Sequence, residues 1–186
     1  MAYSAIEIQF NAALGGAAAT GTGYGEWSDH CIPEDRSAWH PLTRRFYEYW
    51  LAIAPLDALP GRQHVAPEMM TAWLSRLWLL DIFRNPLRYR CRLAGSDLVR
   101  SIGREVTGCW LDEVHPRSVT DPGSRERFRY VTETGRPTWR RGTPRWGRQP
   151  ECHSVESVLV PLAADGQTVD KIMAISITLD LRGRLI

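Results

Sequence analysis

The chain has 186 residues, 44% of them hydrophobic, enough for one domain with a real core plus appendages. Its formal charge of +2 is too small to gather nucleic acid by its field, although Lys171 is the only lysine and the other strong bases are arginines. Four cysteines (Cys31, Cys91, Cys109 and Cys152) form no CxxC pair, no signal peptide opens the chain, and no apolar run approaches the roughly 20 residues a bilayer demands. These features predict reduced thiols and a cytoplasmic protein that neither binds nucleic acid nor spans a membrane.

Residues 1–35 read as a flexible Ala/Gly-rich leader, because Ala12 to Gly25 has little side chain to bury. The spaced Gly21, Gly23 and Gly25 lack the strand and helix that a phosphate-cradling loop needs, so low complexity is the better reading. Residues 36–75 carry N-terminal helices. Trp39, Leu42, Phe46, Tyr49, Trp50 and Ile53 recur at three- and four-residue steps and predict an amphipathic helix over 37–53, ending before Pro55. Its apolar stripe is read first as packing on the domain's own sheet and second as a dimer or partner surface. A Pro60-Gly61 turn follows, and Ala66-Pro67-Glu68 opens a short helix to about Leu74.

Residues 76–180 form the core. The continuous apolar run from Leu77 to Phe83 predicts a central strand, and Asn85-Pro86 turns it back into Leu87–Leu93. There Leu87, Tyr89, Cys91 and Leu93 alternate with three arginines, which predicts four apolar side chains on one face. Helical turns are expected from Asp97 to Gly103, capped by Ser96, and over Thr107–Pro116. A longer helix starts at Ser118 or Pro122 and reaches Thr134, with Phe128 and Val131 inside and Gly135 as its stop. A polar strand over Thr138–Trp146 suits a sheet edge, and Val155–Leu162 and Val169–Leu179 form a hairpin across Ala164-Asp165-Gly166. Residues 181–186 read as a C-terminal tail.

Two strands, a helical connection and three more strands describe an α+β fold: a five-stranded antiparallel sheet with a helical crossover on one face and an N-terminal amphipathic helix. Trp78–Phe83 before its proline turn, Tyr89-Arg90-Cys91-Arg92-Leu93-Ala94-Gly95, Gly103-Arg104-Glu105-Val106-Thr107-Gly108, Glu133-Thr134-Gly135-Arg136-Pro137 and Val160-Pro161-Leu162-Ala163-Ala164-Asp165-Gly166 resemble the PAS domains of single-PAS alphaproteobacterial proteins, over Phe46 to Leu179. The resemblance implies a sensory or regulatory module in bacterial signalling that binds a small ligand or a partner protein, and it brings no catalytic residues.

No constellation argues for an enzyme. His153 and Ser154 alternate to opposite strand faces without a nucleophile elbow, and Asp112 and Glu113 point apart. A zinc site from His30-Cys31 and Cys152-His153 is disfavoured because adjacent ligands close a tetrahedron poorly. His115 reads as a loop residue rather than a haem ligand, and Cys91 as a buried, inert thiol. No cofactor is expected, but Tyr89, Cys91, Trp110, Phe128 and Val131 are candidates to line a pocket for a small organic ligand. The output then passes to a signalling partner on a separate chain, through the helix at 37–53. The alternative is a ligand-free module that dimerises or docks partners without sensing.

Overall fold

The apolar run predicted as a central strand is β1, Leu77–Phe83, and it lies between β2, Arg88–Ala94, and β5, Lys171–Leu179. The computed structural model describes residues 32–33, 35–116, 121–142 and 153–186. Most of the leader, His30, Cys31, Cys152 and the part of the polar strand beyond Gly142 therefore fall outside the described residues. Helix α1 spans Pro41–Ala52, and single 3₁₀ turns cover Arg62–His64, Pro67–Met70 and Leu74–Arg76. After β2 come α2, Ser96–Ile102; α3, Leu111–Val114; and α4, Pro122–Thr134. Strands β3, Thr138–Gly142, and β4, Ser154–Leu162, complete an antiparallel sheet of order β2-β1-β5-β4-β3. The polar strand is an edge, as its composition predicts, and β1 pairs with β5 from Leu77–Ile175 to Asp81–Lys171.

Strand alternation divides the core in two. Met173, Ile175, Ile177 and Leu179 of β5, with Val158 and Val160 of β4, face α1 and pack with Phe46, Trp50, Met70 and Trp73. Ile172 and Ala174, with Leu159, Leu80 and Cys91, face the crossover helices and meet Val106, Leu111 and Val131. Both faces are covered, so β4 and β5 are buried almost throughout.

Helix α1 starts where Pro41 occupies the first turn and His40 caps it, its Nδ1 accepting from Leu42 N at 3.1 Å. The predicted stripe packs inward: Trp39, Phe46 and Trp50 are buried, and Leu42, Tyr49 and Ile53 are partly buried against them. Trp50 Nε1 donates to Pro161 O at 2.8 Å, tying the helix to β4. Tyr47, absent from the predicted stripe, is buried as well, because Trp39 and Trp50 stand 5.6 and 5.9 Å from its ring.

Strand β2 departs from strict alternation. Its register moves from Leu79–Leu93 to Leu80–Cys91, so Arg92 is an extra residue, and this bulge turns Leu93 away from the face that Cys91 occupies. Leu87 and Leu93 are each 38% exposed, and Tyr89 and Cys91 alone of the four predicted residues join the crossover-side core. The outer edge of β2 is shielded locally: Cys91 N donates to Cys109 O at 2.9 Å, and Gly108 N to Cys91 O. At α2 the N-cap is Gly95 rather than Ser96, and a Cβ there would lie 2.2 Å from Leu74 O. Close passage of the 3₁₀ turn before β1 thus demands glycine. The C-terminal residues run back along β5, with Ile186 N donating to Thr178 O at 3.2 Å.

Candidate functional site

Helix α4 turns Ser124, Arg127, Phe128, Val131 and Thr132 toward the sheet, a stripe at three- and four-residue steps. Opposite them, alternation brings Val155, Ser157 and Leu159 of β4 and Ala174, Ser176 and Thr178 of β5 to the same face. Between these surfaces and α2 and α3 lies a cavity of about 600 Å³, within the usual range for a small-molecule site. Trp78, Leu80, Leu98, Ile102, Leu111 and Phe128 supply much of its apolar wall.

Its polar groups gather at two places. Under β3 and β4 sits Arg127, 97% buried, whose Nε donates to Thr138 Oγ1 at 2.8 Å and Nη1 to Ser157 Oγ at 2.8 Å. Its Nη2 donates to Thr138 O at 3.2 Å and Ser157 O at 2.9 Å. All four acceptors are neutral, and among the described residues no carboxylate pairs with it. Burial, and secondly the like charge of Arg140, push its pKa well below the ordinary arginine value. Arg140 also faces the cavity, its Nη1 donating to Ser124 Oγ at 3.3 Å. At the α2 end, Asp97 is bracketed by Arg76 at 3.2 Å and Arg100 at 2.9 Å. A hydrogen bond from Ser75, then these two guanidiniums, hold its carboxyl below the usual range.

The five residues proposed from sequence are dispersed. Phe128 lines the cavity. Tyr89 packs against it in a tilted pair with ring centroids 5.2 Å apart, and its hydroxyl meets Thr132 Oγ1 at 3.1 Å, while burial raises the phenol's pKa. Cys91 and Val131 are fully buried in the packed cluster beside the cavity, and desolvation, with a smaller contribution from Cys109, pushes the Cys91 thiol up to about 11. Trp110 lies elsewhere, against Phe83 at 5.0 Å and beneath the Arg88 guanidinium at 4.1 Å. His115, the C-cap of α3, belongs to the cavity wall. His153 is exposed ahead of β4. Among the described residues no three His, Cys, Asp or Glu side chains gather as a metal site, and no helix is long and apolar enough to cross a membrane.

Back to back with Arg127 and Ser157, on the α1 side of the sheet, stands Glu156. It is fully buried and accepts from His40 N at 3.0 Å, from Thr43 Oγ1 and from Trp139 Nε1 at 3.1 Å, with Arg141 Nε at 3.7 Å. A carboxylate at the start of α1 complements the helix dipole as well as the free backbone N–H. Burial outweighs the pull of Glu156 on His40 and leaves that imidazole's pKa lowered. Thr138, which meets Arg127, and Arg140, which lines the cavity, lie on the crossover side of β3, whereas Trp139 and Arg141 face Glu156 and α1. Sequence reasoning missed Arg127 and Glu156, although each carries a signal: an arginine on the inward stripe of a helix, and a lone acid inside an apolar strand.

A family model described as a PAS domain matches residues 38–176, three quarters of the chain. No curated protein matches it.

Proposed function

The chain belongs to the PAS domain family, and from that premise we propose that it is a non-catalytic sensory module in bacterial signalling that takes a small organic ligand into the crossover-side cavity. One observation carries the reading. Ser157 bonds Arg127 at the cavity, and its neighbour Glu156 holds the start of α1, so a shift of β4 or β3 that accommodates a ligand is felt at both. Sub-ångström movement suffices where a buried carboxylate must match fixed donors. Occupancy then biases α1 between docked and released, and a signalling partner on a separate chain reads the apolar face of α1. In this reading the protein works in the cytoplasm of an alphaproteobacterium.

The test is native mass spectrometry and an absorption spectrum of protein purified from its source, with hydrogen exchange of α1 before and after denaturing removal of the small molecule. Retained mass or colour together with a ligand-dependent change at residues 41–52 supports sensing. A clean ligand-free dimer whose α1 exchange never changes favours dimerisation without sensing.

A further inference from the structure

The charge inside the cavity narrows the class of its ligand. Among the described residues, four arginines, Arg76, Arg100, Arg127 and Arg140, contribute to its lining against one carboxylate, Asp97, which is already shared by the first two. Arg127 is the decisive one. A guanidinium keeps its proton in proteins and has five N–H donors; here four go to Thr138 and Ser157, so one Nη1–H remains beyond those bonds. A buried charge held only by neutral oxygens carries a standing electrostatic cost, which an entering anion would remove. Arg140 stands on the same cavity face two residues along β3 from Thr138.

From there the apolar wall runs across β4 and β5 to Trp78 and Leu80 of β1. Three inter-strand steps make this a span of roughly 14 Å. We infer that the ligand is an anionic amphiphile, a single carboxylate facing Arg127 and Arg140 with an apolar body extending along Phe128, Leu80 and Trp78. This rests on the cavity reading proposed above. Two charges on the ligand are disfavoured, because at the far end Asp97 already neutralises part of the arginine charge and the wall between is apolar.

The experiment is isothermal titration of the full chain, freed of any retained molecule, with sodium decanoate and with decan-1-ol, which has the same apolar body and a neutral head. Decanoate is expected to bind at one site at least tenfold more tightly than the alcohol. Arg127→Met, which fills the space without the charge, is expected to erase that difference while the alcohol still binds. The unmodified chain supplies the decisive comparison even if that variant fails to fold. Equal affinity for acid and alcohol, or preference for the alcohol, overturns the anion inference and leaves the cavity reading standing. No binding of either probe overturns both.

Discussion

Glu156 is the residue whose loss most directly tests how the two faces of the sheet communicate. In Glu156→Ala, two donors lose their acceptor, His40 N and Trp139 Nε1, whereas the single proton of the Thr43 hydroxyl can still go to His40 O at 2.8 Å. Hydrogen bonds to a charged group contribute about 1.5–3 kcal/mol each, and the helix-dipole interaction adds roughly 0.3–1 kcal/mol. Against this stands relief from burying a charge whose only cation among the described residues, Arg141, is 3.7 Å away and partly solvated. The donors win, because both are held by backbone and ring geometry and cannot turn to water. A net loss of about 3 kcal/mol follows, a melting temperature lower by roughly 10 °C for a domain of this size. Glu156→Gln, which keeps a carbonyl acceptor, loses about half as much. Differential scanning fluorimetry reads the total, and hydrogen exchange locates it: amides of residues 42–45 should exchange faster before those of β5 change. A fall under 1 kcal/mol, or faster exchange spread evenly over the domain, would refute the idea that Glu156 secures α1.

Two further perturbations probe the packing and the thiols. Trp50→Ala removes a buried ring and its bond to Pro161 O and is expected to cost about 3–5 kcal/mol in chemical denaturation, whereas Trp50→Phe, which keeps most of the packing, costs about 1 kcal/mol. With Cys31 and Cys152 replaced by serine, Cys109 should react with a thiol reagent first. Cys91, buried and with its thiol raised from 9.0 to about 11, should lag behind it. A raised thiol pKa in the fold means full stability below pH 9 and a loss as pH climbs from 9 to 11, on the order of 2–3 kcal/mol. Cys91→Ala should flatten that alkaline slope in urea titrations at stepped pH, and an unchanged slope would show that the thiol does not ionise on unfolding.

Sequence alone determined the order of strands and helices, the edge position of β3, the N-terminal helix with its apolar stripe and the closing glycines Gly103 and Gly135. Those are local facts: side-chain period, capping and turn chemistry act over a few residues and leave a pattern in the chain. The bulge at Arg92 left no such pattern, since an extra residue in β2 depends on how β1 pairs with it, and so the predicted face of Leu93 was turned around. Gly95 capping α2 was hidden for a similar reason, the distant Leu74 carbonyl being what excludes a side chain. The pocket candidates separated because aromatic and apolar character marks burial without saying whether the buried side chain fills the core or faces a void. Only the tertiary structure brought Arg127 beneath Thr138 and Ser157, and set Glu156 against the start of α1, 113 residues from Thr43. Charges so far apart in sequence are joined by strand pairing, and whether a buried charge is caged by carbonyls or faces a cavity is decided by that pairing and by no property of the neighbouring residues.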